Sequence, residues 1–385
     1  MDTQNTPVHI MLWHKAFWLL AFAELLLAMS VYLFIPSLSD VLSRQPFNQT
    51  QGALCLMLFV VGLYLPGGFL YAFIQRYRRN AVCLCGLIVF FALQMCFIFL
   101  SRFFRSEMLY GFCILLGSSY GLAQMVLLST LVIDKSESFQ RTEANYIVSW
   151  FGRLALSIGP LAGLLTRHFW GFDKIYWLSA FLSLGSFLLV ASVHFPFKTP
   201  EDIIHFLSLD RFFLRRGTPL FFSLMLFASC AGLMLGLGSS LHFFAFLMAG
   251  FLLAILAEKY VFADAELKSE VITGCILMLA SALLQLTRDE VLARDFSSLM
   301  LGTGIGIIAS RFLLFFIKLS RHCERGTSQS TFFLGWESGL TIGVAVSYLL
   351  SHSSNIYLLT IALLVLGLIL YNYVIHPWYL HNKNR

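Results

Sequence analysis

Four ionisable residues lie well inside long apolar stretches of the sequence: Glu24, Arg153, Arg311 and Glu337. At 1.5 Å per helical residue they would lie about 17, 15, 10 and 12 Å from one end of their predicted helices. A charge at such a depth in a bilayer costs roughly several kcal/mol, so these residues are usually paired or functional. The depths predict two acid–base pairs, Glu24 with Arg153 and Arg311 with Glu337.

Such pairs could exchange protons. Desolvation favours the neutral form of a carboxyl group, and a close arginine favours the charged form. A protein that alternates between two such environments would bind a proton in one and release it in the other. Two alternatives stay open at this point. The pairs could be static struts that fix helix register, or all four residues could meet across a central cavity.

A second group of polar and aromatic residues lies near these charges and is predicted to line a substrate cavity. Ser118, Tyr120 and Gln124 lie on one predicted helix, while Trp150 and Trp336 lie close in sequence to Arg153 and Glu337. Hydroxyl and amide groups would bind a solute through hydrogen bonds, and indole rings would stack on it. The alternatives are hydrogen bonding between helices and plain packing.

Soluble enzyme chemistry is not indicated by the sequence. It contains no metal-ligand spacing, phosphate-binding loop or nucleophile motif, so we expect no enzyme activity, no metal and no cofactor. The eight cysteines lie mostly within apolar runs and are predicted to be small buried hydrophobic residues. The net charge of +6 falls in short loops, so we expect no nucleic-acid partner.

The elements that position these residues must be membrane helices. The chain is 58% hydrophobic and only 12% charged, whereas soluble domains carry roughly 25% charged residues. Its apolar runs of about 18 to 24 residues match the length that crosses a bilayer as a helix. The predicted fold is all-α with twelve transmembrane helices, at residues 13–37, 52–74, 81–100, 108–132, 143–166, 175–195, 218–238, 241–262, 269–287, 297–317, 329–350 and 355–376.

The loop charges predict the orientation. Of the 26 Lys and Arg residues, 17 fall on the side of the predicted termini and 7 on the other side. Because Lys and Arg are enriched in cytoplasmic loops, both termini are predicted to be cytoplasmic.

The two halves of the sequence repeat. The sequence around Gln75–Tyr77 recurs at Glu258–Tyr260, and Gly117 and Gly121 recur at Gly302 and Gly306. Arg141 and Gly159 likewise recur at Arg325 and Gly343, so all offsets lie near 184 residues. We predict two parallel six-helix bundles related by a pseudo-twofold axis. Their residues are 1–195 and 218–385, joined by a linker at 196–217 whose residues 201–216 are predicted to form an amphipathic helix.

With this topology, the chain resembles the major facilitator superfamily of secondary transporters over nearly its whole length. The loop at Tyr71–Asn80 keeps Arg76 and Arg79 of the family's loop motif, while Gln75 replaces its acidic residue. The segment from Gly159 through Pro160 to Gly163 is similar to the glycine–proline motif of the family's antiporters. These residues are therefore predicted to act in gating and helix packing.

The resemblance implies a secondary transporter with alternating access, nearest to bacterial proton-coupled exporters. It implies efflux of a small organic solute in exchange for protons, with Glu24 as the proton carrier and a cavity lined by spans 1, 4, 7 and 10. The partners would be the solute, protons and the lipid bilayer, and the protein would be a monomer in the inner membrane. The alternatives are a symporter or facilitator importing a sugar or other nutrient, and a non-transporting scaffold or lipid-modifying enzyme.

Overall fold

The computed structural model describes residues 12–44, 48–101, 105–195, 205–262, 265–350 and 352–383. Within these ranges it contains twelve helices that are long and apolar enough to cross a membrane, so the chain is a multi-pass membrane protein. Each overlaps the span predicted at the same place in the order. They are α1 Lys15–Ser43, α2 Gln49–Arg76, α3 Arg79–Leu100, α4 Glu107–Asp134, α5 Arg141–Trp170, α6 Lys174–Ala191, α7 Arg215–Leu235, α8 Leu241–Tyr260, α9 Leu267–Thr287, α10 Val291–Leu319, α11 Arg325–Leu349 and α12 Ser353–Asn382.

Proline interrupts two of these helices near their ends. A single 3-10 turn at Ile35–Ser37 divides α1 at Pro36, and another at Gly67–Phe69 follows Pro66 in α2. Proline lacks a backbone N–H and clashes with the preceding turn, so breaks at these points are expected. Pro160, in contrast, lies inside an α5 that stays α-helical from Arg141 to Trp170.

The same helix pairs form the most extensive contacts in both halves of the chain. In the first half α1 packs on α5 and α6, α2 on α4, and α3 on α4 and α6. In the second half α7 packs on α11 and α12, α8 on α10, and α9 on α10 and α12. Adding six to each helix number converts one set into the other, which is what two similar bundles require.

Two helix pairs form the most extensive contacts between the halves. α2 packs against α11, and α5 packs against α8. Polar contacts accompany both: the Tyr64 hydroxyl lies 2.7 Å from the Ser338 hydroxyl, and the Tyr146 hydroxyl donates to the Glu258 carboxylate. We call the side where α1 begins and α12 ends the termini face, and the other side the opposite face.

The predicted amphipathic linker helix is wrong over residues 205–214, and residues 201–204 lie outside the described residues. The chain is not helical at 205–214, and Arg211 has a positive φ of 58°. Its backbone bonds to α11 instead: the Arg211 and Leu214 amides donate to Thr327 and Thr331, both at 2.8 Å. These tertiary hydrogen bonds satisfy backbone groups that a linker helix would have paired internally.

Close helix crossings depend on particular glycines, of which Gly343 is the clearest. A Cβ atom added there would lie 2.8 Å from the Gly232 Cα of α7. We expect Gly343→Ala to lower the free energy of unfolding by about 1–3 kcal/mol, because overpacking forces the helices apart. Gly111→Ala in α4 is the matched control, since nothing lies within 4 Å of its added Cβ. Equal thermal unfolding midpoints of the two variants in detergent would contradict this prediction.

Candidate functional site

A small cavity of about 20 Å³ lies between the halves and contains both predicted carboxylates. Glu24 of α1 and Glu337 of α11 line it, and both side chains are buried. Residues from four helices form the remaining wall: Ala28, Tyr32, Leu128, Ser149, Gly152, Arg153, Gln329, Phe332, Phe333 and Trp336. A space of this size is about that of one water molecule. We call it the central cavity.

Glu24 reaches this cavity because α5 presents a glycine beside it. A Cβ atom at Gly152 would lie 2.7 Å from the Glu24 Oε1 atom, so a larger residue would displace the carboxylate. The Gln124 side chain of α4 faces the same carboxylate. The Oε2 atom of Glu24 is buried and has no hydrogen-bond partner. A buried carboxylate oxygen in this state is costly and is suited to hold a proton.

Glu337 is held by tyrosines from the other half of the chain. The Tyr32 hydroxyl donates a hydrogen bond to its Oε1 atom, and the Tyr120 hydroxyl lies 3.5 Å from the same atom. Gln124 donates in turn to the Tyr120 hydroxyl at 3.2 Å. Gln124 and Tyr120 therefore form a polar path between the two carboxylates, and this path crosses from α1 through α4 to α11.

The predicted ion pair between Glu24 and Arg153 is wrong. Although Arg153 lines the central cavity, its guanidinium turns towards α10 and donates to the Gly306 carbonyl at 3.1 Å and to the Ser310 hydroxyl. The same group lies 3.8 Å above the Trp150 ring. Carbonyl, hydroxyl and aromatic groups thus replace Glu24 as the contacts of this buried cation, and Glu258 of α8 is a carboxylate near enough to interact with it electrostatically.

The predicted pair between Arg311 and Glu337 is also wrong, because Arg311 pairs with Glu270 of α9. The Arg311 Nε atom lies 2.6 Å from the Glu270 Oε2 atom, and a second guanidinium nitrogen contacts the other oxygen. Glu270 lies at the start of the predicted ninth span, so its sequence position indicated an interfacial residue. Within the described residues, Glu24 and Glu337 consequently form no ion pair.

The predicted substrate-cavity residues separate into two groups. All of Tyr120, Gln124, Trp150 and Trp336 are buried, but only Trp336 lines the central cavity, where its indole donates to the Tyr32 hydroxyl at 3.2 Å. The other three contact residues of the cavity wall: Tyr120 contacts Glu337, Gln124 faces Glu24, and Trp150 packs on Arg153. Ser118 instead donates to the Gly62 carbonyl at 3.1 Å, which places it in the contact between α4 and α2. Ser118 therefore forms a hydrogen bond between helices, which was the alternative to a place in the substrate cavity.

The predicted gating and packing residues lie in two places. Arg79 donates to both carboxylate oxygens of Asp134 at 2.6 Å, while Gln75 is half-buried and Arg76 is exposed. Gly159 and Gly163, on either side of Pro160, let α5 approach the backbone of α1 at Met29 and Leu33. These glycines pack α5 against the helix that carries Glu24.

A larger cavity of about 240 Å³ lies towards the opposite face, among α1, α2, α3, α4 and α6 and against α11. We call it the apolar cavity, because side chains such as Leu56, Phe90 and Leu116 form most of its wall. Glu337 is the only charged residue among those that line it. Tyr32 and Glu337 line both cavities, so their hydrogen bond forms a partition between them.

Several residues of this site were missed by the sequence reasoning. Tyr32 had a usable signal, since Glu24, Ala28 and Tyr32 follow one another at intervals of four residues on one helix face. Gly152 and Gln329 had none, because their roles come from neighbours on other helices. Among the described residues, no cluster of His, Cys, Asp or Glu could hold a metal ion.

Comparisons with known proteins support the fold. No family model and no curated protein sequence matches the chain. Among the solved structures that match is the crystal structure of a point mutant of the nucleoside transporter NupG. It has a TM-score of 0.69 and 13% sequence identity, over 93% of this chain and 99% of that chain. The predicted fold class is confirmed: the chain is all-α with twelve candidate transmembrane helices among its described residues, and it has the fold of this transporter structure.

Proposed function

We propose that this protein is a secondary active transporter that exports a small organic solute in exchange for protons. One observation carries the proposal: two buried carboxylates, Glu24 and Glu337, lie in one cavity between the halves without a cationic partner among the described residues. A static structural role would favour paired charges, because an unpaired buried carboxylate destabilises the fold. A function in proton binding would account for the presence of these two destabilising carboxylates.

The partition between the two cavities supports alternating access. Tyr32 belongs to the first half of the chain and Glu337 to the second, so their hydrogen bond must break if the halves move apart at this point. A solute that reaches Glu337 from the apolar cavity would compete with the Tyr32 hydroxyl for the carboxylate. Solute binding and rearrangement of the halves would then be coupled through a single carboxyl group.

The wall of the apolar cavity favours an apolar organic solute over a sugar or a nucleoside. A sugar needs many hydrogen-bonding side chains, and the polar residues of this wall are few. One of them, Gln94, already bonds to Ser179 at 2.7 Å and to Ser183 at 2.5 Å. Import of a nutrient remains the second candidate, since the NupG structure is that of a nucleoside transporter with the same fold.

We further propose that the termini face is cytoplasmic and that the protein functions as a monomer in the inner membrane. We also propose that residues 1–195 and 218–385 move as two bundles around the linker at 196–217. The excess of Lys and Arg in the loops of the termini face supports this orientation. The repeated pattern of helix contacts supports the two bundles.

Flux measurements in liposomes test this function. Purified protein is reconstituted with a trapped pH indicator, and solutes are added against an imposed pH gradient. We expect apolar aromatic solutes to dissipate the gradient in the direction of exchange, and sugars and nucleosides to leave it unchanged. Dissipation by a sugar or nucleoside with protons moving in the same direction as the solute would support import instead. If no solute moves through protein that is folded and correctly inserted, the transport proposal fails.

A further inference from the structure

A third cavity, of about 150 Å³, lies on the termini face and is lined by four arginines. Asp134 is the only acidic residue among the lining residues. We call this space the arginine cavity; its lining residues are Arg79, Ser129, Ile133, Asp134, Arg141, Arg211, Cys323, Arg325 and Gly326. It belongs to neither the central nor the apolar cavity.

The four arginines come from both halves of the chain and from the linker. Arg79 begins α3, Arg141 begins α5, Arg325 begins α11, and Arg211 precedes α7. Arg141 and Arg325 occupy equivalent positions of the internal repeat, 184 residues apart. A ligand bound among these side chains would therefore contact both halves at once.

The protein satisfies these guanidinium groups only in part. Asp134 is engaged by Arg79, and Arg325 donates to the Ser138 carbonyl at 3.2 Å. Arg211 donates to the Ser129 carbonyl at 3.3 Å and to the Thr130 hydroxyl at 3.0 Å. The Nε atom of Arg141 is buried and has no hydrogen-bond partner. The neutral acceptors satisfy hydrogen bonds but add no negative charge, so among the lining residues one carboxylate, Asp134, faces four guanidinium groups.

Asp210 lies beside Arg211 and favours its charged form, but it is outside the cavity. Asp210 accepts hydrogen bonds from the Thr327 hydroxyl at 2.9 Å and from the Arg211 amide at 2.9 Å, and it does not line the cavity. Burial, together with the nearby Arg79 guanidinium, lowers the pKa of Arg211. Both effects act against the cationic form, so an anion in the cavity would stabilise all four arginines.

We propose that the arginine cavity binds a phosphate group, supplied either by a free phosphate anion or by the headgroup of an anionic lipid. Arginine presents several N–H donors in a planar fork that matches the oxygens of phosphate. Four such forks around one polar space form a site that favours phosphate over chloride, because phosphate offers several oxygens to pair with the N–H groups of each fork and chloride is a single acceptor atom. Because the site joins the two halves, a bound phosphate group would stabilise the present arrangement of the halves at the termini face.

Cys323 provides a local readout, since it is an exposed thiol that lines the cavity. Full-length protein carrying Cys85→Ser, which removes the other exposed thiol, is labelled with a hydrophilic maleimide in an uncharged detergent. Sodium phosphate is titrated against sodium chloride at equal ionic strength. We expect phosphate to slow the labelling of Cys323 in a saturable way, and chloride to leave it unchanged.

Two variants and one control test the assignment to these arginines. Arg141→Gln and Arg325→Gln are each expected to raise the half-protecting phosphate concentration by about tenfold, the effect of losing one charge-assisted hydrogen bond. Arg216→Gln removes the same charge from an exposed position of the same face and is expected to change nothing. Gel filtration of each variant verifies that it is folded.

Nanodiscs distinguish the two sources of phosphate. Protection by free phosphate in detergent indicates a soluble anion, whereas protection only in phosphatidylglycerol nanodiscs, compared with phosphatidylcholine, indicates an anionic lipid headgroup. Either result supports the site. The proposal is overturned if neither protects Cys323, or if protection is the same in Arg141→Gln and Arg325→Gln as in the parent protein.

Discussion

Replacing Glu24 by glutamine is expected to abolish pH-driven solute flux while leaving the protein folded. The amide keeps the size of the carboxyl group but cannot bind and release a proton. Because Glu24 has a buried oxygen without a partner, the neutral amide costs the fold little. The measurement is solute flux in liposomes with an imposed pH gradient, where we expect the rate to fall to that of empty liposomes.

Solute exchange without a pH gradient distinguishes loss of coupling from loss of the transporter. Exchange of labelled for unlabelled solute requires the halves to move but requires no net proton transfer. We therefore expect it to persist in Glu24→Gln. Glu107→Gln, which changes an exposed glutamate at the start of α4, serves as the matched control and should retain pH-driven flux. Full pH-driven flux in Glu24→Gln would refute the role of Glu24 as proton carrier.

Removing one partner of the ion pair between Arg311 and Glu270 is expected to produce the largest loss of stability. Glu270 is buried, and the Arg311 side chain is only 13% exposed. In Glu270→Gln the arginine would keep its charge in a poorly hydrated position and would lose the carboxylate that bonds to it directly. Breaking such a buried pair costs about 3–5 kcal/mol. The measurement is the free energy or the midpoint of thermal unfolding in detergent.

An exposed ion pair of the same chemistry is the control for this prediction. Arg44 lies 3.0 Å from Asp173, with side chains that are 51% and 83% exposed. Because solvent screens such a pair, Asp173→Asn should cost less than about 1 kcal/mol. Replacing both buried partners, as in Arg311→Met with Glu270→Gln, should recover much of the loss, since no unpaired charge remains. Similar losses for Glu270→Gln and Asp173→Asn would contradict the structural role of the buried pair.

The two wrongly predicted ion pairs, Glu24 with Arg153 and Arg311 with Glu337, show what the sequence could not predict. Depth along a helix selects Glu24 and Glu337 as buried residues, but it predicts that each pairs with an arginine and not that the two carboxylates share a cavity. Depth is only one coordinate, however, and it does not say towards which neighbour a side chain points. Arg153 and Arg311 both turn to partners on neighbouring helices, and those directions depend on how each helix is rotated about its axis.

The linker is a second example of a structure that depends on residues distant in sequence. Its alternation of apolar and charged residues favoured a helix, because local pattern was the only information. In the structure, Thr327, Ser330 and Thr331 of α11 bond to the linker backbone and hold it in a non-helical path. A threonine 116 residues away cannot be recognised as a backbone partner before the fold is known.

The sequence by itself determined the membrane architecture of this protein. Apolar runs must become helices in a bilayer, because backbone groups there have no water to bond, and the repeat of about 184 residues then dictates two similar sets of six. Only the tertiary structure decided the partners of the buried charges, the partition formed by Tyr32 and Glu337, and the clustering of four arginines at one face. These features depend on the relative rotation and tilt of packed helices, which arise from side-chain interdigitation over the whole molecule and leave no periodic signal in any single helix.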